Sequence, residues 1–200
     1  MSSAIVQALG LVVGASCASG LKLYATIAVL GLLQHFGIVR LPASLNVLGN
    51  PIVIAIALVL YAAEFFMDKI PYVGSAWNAF HTFIRPPAAA LLSYGAFSSA
   101  PPQWRALAAL LGGGIAFSSH SAKMALRTPI EASPEPFSTW AVSLGEDVLT
   151  AVLAWLAAAH PVMAIVTVVA LLGAAFYLAV KLYRAFRRAV GRFVRIFRRS

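Results

Sequence analysis

Long apolar segments follow one another along most of this 200-residue chain, separated only by short groups of turn residues. They fall at about 4–36, 51–67, 86–97, 104–126, 137–159 and 161–182. A helix that crosses a bilayer needs roughly 20 mostly apolar residues. Only 10% of the residues are charged, whereas soluble domains carry roughly 25%. The sequence therefore predicts an all-α, polytopic transmembrane helical bundle of about six spans, formed as one domain by residues 1–182.

Two of these segments do not fit a simple upright helix. Residues 4–36 would reach roughly 50 Å as one helix, against a hydrocarbon core of about 30 Å. A break is expected near Gly14 to Gly20, where small residues concentrate. Residues 86–97 are short for a span, so the region 71–97 is expected either to cross fully with help from upstream or to be re-entrant.

An amphipathic helix is predicted just before that short segment, at residues 73–85. One helical face carries Val73, Trp77, Phe80 and Ile84, and another carries Asn78, His81 and Arg85. This pattern is typical of a helix that lies at the membrane interface.

Basic residues are concentrated at the end of the chain. Eight of the fifteen lysines and arginines lie in the last twenty positions, so residues 1–180 carry only +1 of the formal net charge of +9. One helical face of residues 183–200 is basic, with Arg184, Arg188, Arg192, Arg195 and Arg199. This pattern predicts a cytoplasmic amphipathic tail that contacts anionic lipid head groups. Nucleic-acid binding is not expected, because no aromatic-rich soluble platform accompanies the tail.

The distribution of lysine and arginine also predicts the orientation. With six spans, the positive-inside rule places both termini in the cytoplasm. Five spans would instead place the N-terminus outside.

A pattern of small residues, a lysine and two carboxylates occurs twice. Gly14 to Gly20 and Lys22 precede Glu64 and Asp68; Gly112 to Gly114, Ser118 to Ser121 and Lys123 precede Glu146 and Asp147. Two groups of three spans would have opposite orientations, as in the inverted repeats of many transporters. Because the two halves share little identity, an unrepeated bundle is an equal alternative.

Charged side chains inside apolar segments are the strongest functional signal. Glu146 lies about ten residues into its segment, or roughly 15 Å deep, so it must be protonated, paired or in contact with water. A broken first helix would bring Lys22 to a similar depth, which predicts an ion pair with Glu146 or Asp147. Such a pair either only holds two helices together or takes part in a proton or ion relay.

Three further groups have both a structural and a functional interpretation. Glu64 and Asp68 share a helix face at the predicted cytoplasmic end of the second span. They either form an ordinary solvated helix end or are two close carboxylates that need a cation or a proton between them. His120 lies among serines and one turn from Lys123, which suits close helix packing or a role in proton transfer. No chemistry is assigned to His35, His81 or His160.

Common enzyme motifs are missing from the sequence. Cys17 is the only cysteine, which excludes an intrachain disulfide and a cysteine-based zinc site. There is no His-Glu-x-x-His, Gly-x-Ser-x-Gly or Gly-x-x-x-x-Gly-Lys motif. We therefore expect neither an enzyme nor a protein with a metal or a cofactor.

An ordered set of short motifs resembles a known bacterial family. The motifs are Gly20-Leu-Lys-Leu-Tyr24, Glu64-Phe-Phe-Met-Asp-Lys-Ile-Pro71, His81-Thr-Phe-Ile-Arg-Pro-Pro87, His120-Ser-Ala-Lys123, Ser133-Pro-Glu-Pro-Phe137 and Glu146-Asp-Val148. Over nearly the whole chain they resemble the membrane-protein family catalogued as domain of unknown function 4126. The resemblance implies an integral membrane protein without an established activity.

The leading functional hypothesis is a small transporter or channel-like protein for an ion or a small polar solute. Its candidate pathway residues are Lys22, His120, Lys123, Glu146, Asp147, Glu64 and Asp68. The main alternative is a structural or accessory membrane protein that binds lipid or a partner through its tail. A membrane-embedded enzyme with a head-group cleft at Glu64, Asp68 and His81 is a third hypothesis. Substrate, coupling ion and oligomeric state, including a homo-oligomer, stay open.

Overall fold

A computed structural model of the protein describes residues 3–70, 73–131 and 136–197. Within these ranges all regular secondary structure is helical, which confirms the all-α prediction. The α-helices are α1 (Ser3–Gly10), α2 (Ser16–Leu21), α3 (Leu23–His35), α4 (Pro51–Met67), α5 (Val73–His81), α6 (Arg85–Ala96), α7 (Pro102–Glu131), α8 (Pro136–Ala159) and α9 (Pro161–Phe197). A π-helix (Leu11–Ala15) joins α1 to α2, and a 3₁₀ helix (Ala43–Gly49) precedes α4.

Proline residues define where several of these helices begin. Pro51, Pro102, Pro136 and Pro161 are the first residues of α4, α7, α8 and α9. Proline suits the first helical turn, because it has no N–H to leave unpaired there and its φ is already helical. At α4 the cap is completed by Asn50, whose side-chain oxygen accepts a hydrogen bond of 2.8 Å from the backbone N–H of Ile52.

The first apolar segment is broken at Lys22. This residue has extended backbone angles, φ −148° and ψ 101°, between α2 and α3. The predicted range from Gly14 to Gly20 is itself helical, although Gly14 lies in the π-helix. The break therefore comes two residues after the predicted range. Because the helix ends there, the last carbonyl groups of α2 lack helical partners, and they accept hydrogen bonds from side chains of other helices, as described below.

Small residues let α2 and α7 approach each other closely. A β-carbon added at Gly20 would overlap Ser119 Oγ and the backbone carbonyl oxygen of Ala116. Ser119 is itself fixed by its hydrogen bond of 3.0 Å to the carbonyl oxygen of Cys17. The contact between these helices therefore depends on glycine at position 20.

We expect Gly20→Ala to lower the free energy of unfolding by about 1–3 kcal/mol, because a backbone carbonyl cannot move aside as a side chain can. Chemical denaturation in detergent micelles measures the change. Gly114→Ala is the matched control on α7, since nothing lies within 4 Å of a β-carbon there. The control should keep its stability or gain up to about 1 kcal/mol from helix propensity. Equal stability of both variants would contradict this account of the packing.

In the part of the chain that the structure describes, three helical segments are long and apolar enough to cross a membrane: Ala4–Leu21, Phe137–Ala159 and Pro161–Lys181. The number rises to four if the 3₁₀ helix and α4, bent by 65° at their junction, form one broken span. The short segment predicted at 86–97 is found as α6 with 12 residues. The structure thus supports three or four spans by length and composition, and the full set of six stays a prediction.

The polar face of α5 is turned toward the protein interior. Asn78 and His81 are buried, whereas Phe80 and Val73 on the apolar face are exposed. His81 bonds through Nδ1 to the carbonyl oxygen of Trp77 at 2.8 Å. Burial lowers the pKa of His81, and this hydrogen bond only partly opposes the shift. Residues that were expected to face an aqueous interface therefore line a buried polar region, where Asn78 donates to Asp68 and His81 Nε2 lies 3.2 Å from Tyr24 Oη.

The chain forms two compact units, Met1–Val168 and Val169–Ser200. Helix α9 continues from the first unit into the second. In the tail, Arg184 is exposed to solvent. Arg199 and the side chains of Arg188, Arg192 and Arg195 lie outside the described part of the structure, so the basic lipid-facing surface stays a prediction, as does the boundary at residue 182.

Candidate functional site

Charged side chains from four regions of the first unit meet in its interior. The charge cluster consists of Lys22, Asp68, Lys123, Arg127, Glu146 and Asp147. Three cations thus face three carboxylates, so the fully ionised cluster is electrically neutral. The cations and Asp68 are at most 4% exposed, and the two carboxylates of α8 are 10–11% exposed. Burial of this kind is tolerated only because each charge has a partner.

Asp68 lies at the centre of the charge cluster. Its carboxylate lies 2.9 Å from Lys22 Nζ, 3.2 Å from Lys123 Nζ and 3.3 Å from Arg127 Nη1. Asn78 Nδ2 donates a further hydrogen bond of 3.2 Å. Burial alone would raise the pKa of Asp68, but the three cations outweigh it and hold the pKa well below its usual range. One interpretation of the sequence placed Asp68 at a solvated helix end. The structure shows instead that Asp68 is buried among cations.

Helix α8 contributes two adjacent carboxylates that bind different partners. Glu146 accepts two hydrogen bonds from Arg127, of 3.0 Å from Nε and 2.8 Å from Nη2, and lies 3.2 Å from Lys123 Nζ. Asp147 lies 2.7 Å from Lys22 Nζ. Of the two predicted pairings for Lys22, the structure shows the one with Asp147. Glu146 pairs instead with Lys123 and Arg127 of α7.

A second buried ion pair lies beside the cluster, between Arg85 and Glu64. Arg85 Nη2 donates to Glu64 Oε1, and both side chains are fully buried. Arg85 Nη1 lies 2.8 Å from His120 Nδ1 and donates a bond of 3.2 Å to the carbonyl oxygen of Gly20. Glu64 is thus neutralised by its own cation, and it does not share one with Asp68.

These contacts determine the protonation of His120. A guanidinium group has only donors, so Nδ1 of His120 must accept from Arg85. His120 is therefore neutral and carries its proton on Nε2, which donates at 2.8 Å to Thr82 Oγ1. Thr82 donates in turn to the carbonyl oxygen of Asn78 at 3.2 Å. This chain of hydrogen bonds joins α6 and α7 to the end of α5.

The break at Lys22 supplies further acceptors. Leaving the helix frees the last carbonyl groups of α2 from their usual partners. Lys123 Nζ donates to the carbonyl oxygen of Leu21 at 3.0 Å, and Arg85 donates to that of Gly20. Cations are favoured at the C-terminal end of a helix, where the partial charge is negative. The broken helix and the buried cations therefore stabilise one another.

A polar stripe on α8 surrounds Asp147. Thr139, Ser143 and Thr150 are buried and recur with Asp147 at helical spacing. Among the described residues the hydroxyl groups of Ser143 and Thr150 have no hydrogen-bond partner, and Asp147 contacts Lys22 Nζ at 2.7 Å through Oδ1. Native proteins rarely leave buried polar groups unpaired. This stripe therefore holds hydrogen-bonding capacity beside Asp147 that the described residues do not use, and Glu64 Oε2 and Asn78 Oδ1 hold more elsewhere in the site.

The structure brings all seven predicted pathway residues into this region, and it adds four that the sequence reasoning did not select. The additions are Arg85, Arg127, Asn78 and Thr82. A signal was present, because Arg127 follows Lys123 by four residues and Arg85 follows His81 by four, and such pairs share a helix face. Among the described residues no three His, Cys, Asp or Glu side chains are grouped so that they could hold a metal ion.

Comparison with known proteins gives one match. A family model described as "Domain of unknown function (DUF4126)" matches residues 9–181. The matched range includes the charge cluster, the Arg85–Glu64 pair and His120. No curated protein and no solved structure matches the chain.

Proposed function

The chain belongs to the family of domain of unknown function 4126, and we propose that it is a small transporter or channel-like protein for an ion or a small polar solute. The proposal includes six spans in the bacterial inner membrane with both termini in the cytoplasm, and no enzymatic activity. Ionisable groups within membrane-spanning segments commonly mark such pathways.

The observation that carries the proposal is the small number of ionic contacts that Asp147 makes. Among the described residues Asp147 has one cationic contact, with Lys22 Nζ at 2.7 Å, whereas Asp68 and Glu146 each contact at least two cations and Glu64 is fully buried with Arg85. The side chain of Asp147 is 10% exposed, although both of its carboxylate oxygens are buried. Ser143 and Thr150, one turn to either side, offer free hydroxyl groups. A proton, a cation or a polar solute would find its partners at this position.

Lys22 makes a reversible step at Asp147 feasible. Its ammonium group is shared between Asp147 at 2.7 Å and Asp68 at 2.9 Å. When a proton or another cation neutralises Asp147, Lys22 keeps its ion pair with Asp68 and is not left as an unpaired buried charge. Asp147 is thus the carboxylate of the cluster whose neutralisation requires the least free energy.

Purified protein in liposomes, tested with a panel of ions and small polar solutes, provides the experiment. We expect a flux that Asp147→Asn reduces to the level of empty liposomes, because the amide cannot exchange a proton or balance a cation. Glu146→Gln should have a secondary effect through Arg127. Gly145→Ala is the matched control on the same helix, since its added β-carbon meets nothing within 4 Å. A wild-type protein without flux across the panel, or full flux in Asp147→Asn, would overturn the proposal.

A structural or accessory role is the second candidate, and the charge balance of the cluster favours it. A neutral, buried set of ion pairs can hold helices together without transporting anything. Under this alternative the double variant Lys22→Met with Asp147→Leu stays folded and active in vivo, and the wild-type protein shows no flux. The head-group enzyme has less support, because Glu64, Asp68 and His81 are at most 1% exposed.

A further inference from the structure

A cavity of about 830 Å³ lies at the end of the first unit where α1 begins and α6 ends, away from the charge cluster. Its walls are residues of α1, the connection after α3, the turn after α6 and the start of α7. The lining is mostly apolar, with Ile5, Leu9, Leu41, Phe97 and Trp104 as its large members. Its volume falls within the range of roughly 300–1,000 Å³ that small-ligand sites occupy.

The cavity has a single cationic side chain among its lining residues, Arg40. The backbone of Arg40 is fixed to α1, because its carbonyl oxygen accepts a hydrogen bond of 2.7 Å from Gln7 Nε2. Its guanidinium group is exposed and has neither a hydrogen bond nor an ion pair with any part of the chain that the structure describes. An apolar cavity with one available cation at its edge suits a ligand with an apolar body and an anionic end.

Aromatic side chains indicate the level of this cavity in a membrane. Trp104 lines it and is 56% exposed. One residue further on, Arg105 stacks over the ring of Tyr94 at 4.0 Å. Tryptophan and tyrosine are enriched where the hydrocarbon core meets the head groups. A ligand in the cavity would therefore have its polar end at head-group level and its apolar part below.

We propose that this cavity binds an anionic phospholipid, with one acyl chain among the apolar lining residues and the phosphate at Arg40. Lipid tails are as apolar as the cavity wall, so the wall accepts a chain but gives no preference over the bilayer. Preference for the bound lipid comes from Arg40, which distinguishes an anionic head group from one without net charge. This site is separate from the basic tail and does not depend on the proposed transport function.

Native mass spectrometry of the full-length protein in detergent tests the site with two probes of equal chain length, phosphatidylglycerol and phosphatidylcholine. We expect the wild-type protein to retain phosphatidylglycerol roughly fivefold better, as a single arginine–phosphate contact allows. Arg40→Gln should remove this preference. Arg105→Gln is the matched control, because Arg105 lies on the same side of the unit but does not line the cavity.

A second variant tests the acyl-chain part of the site. Ala100 lines the cavity from the turn between α6 and α7, outside both helices. Ala100→Trp should reduce retention of both lipids. Unchanged retention in Ala100→Trp, or an equal preference for phosphatidylglycerol in Arg40→Gln and the wild type, would overturn the proposal. So would loss of the preference in Arg105→Gln alone.

Discussion

Replacing Asp68 with asparagine is expected to lower the free energy of unfolding by about 3–5 kcal/mol, the usual result of leaving buried charges without a partner. Asparagine has nearly the same shape, so the loss comes from charge and not from a cavity. Lys22, Lys123 and Arg127 would then face only two carboxylates, Glu146 and Asp147. Equilibrium unfolding in detergent micelles measures the change.

The neutrality of the cluster provides the control for this experiment. Adding Lys123→Met to Asp68→Asn removes one cation and restores the charge balance, so part of the lost stability should return. Lys69→Gln is a second control, because Lys69 is adjacent in sequence but lies over the ring of Phe65 outside the cluster. If Asp68→Asn were no less stable than Lys69→Gln, Asp68 would not be the centre of the cluster.

Removal of Arg85 should have an effect of similar size. Arg85→Met leaves Glu64 as an uncompensated buried carboxylate and deprives His120 Nδ1 and the Gly20 carbonyl of their donor. We expect a loss of about 3–5 kcal/mol. The same unfolding measurement applies, combined with Glu64→Leu in a double-mutant cycle.

The cycle separates the ion pair from the other contacts of Arg85. The double variant Glu64→Leu with Arg85→Met removes both charges, and buried pairs replaced by apolar side chains often lose little stability. It should therefore be more stable than Arg85→Met alone, while the unpaired carbonyl of Gly20 keeps it below the wild type. Additive losses in the cycle would show that Arg85 and Glu64 are not coupled.

Much of the architecture could be predicted because apolar segments and buried charges obey simple constraints. The all-α fold follows from the long apolar segments, and the family follows from the ordered motifs. The meeting of Lys22 with a carboxylate of α8 follows from the cost of isolated charges in an apolar chain. The choice between Glu146 and Asp147 could not be predicted. Adjacent residues differ by about 100° around a helix, and the depth of a residue does not determine the rotation of its helix.

The orientation of α5 shows a second limit. Its amphipathic pattern correctly separates Asn78 and His81 from Val73 and Phe80, but a pattern does not say which face is turned inward. In most proteins the apolar face is buried. Here the interior next to α5 contains Asp68, which binds Asn78, so the polar face is the one that packs. Only the three-dimensional arrangement of the charges decides this.

The extended residue Lys22 also constrains the order in which the molecule can be assembled. Its two carboxylate partners, Asp68 and Asp147, are synthesised later, the second of them only when α8 emerges. Until then the ammonium group lacks part of its final environment, and a lone cation is costly in the bilayer. In the proposed membrane topology the first helices would therefore reach their final depth only after α4 has supplied Asp68, and α8 would complete the pairing with Asp147. The charge that joins distant parts of this unit would thus couple the insertion of one helix to that of the others.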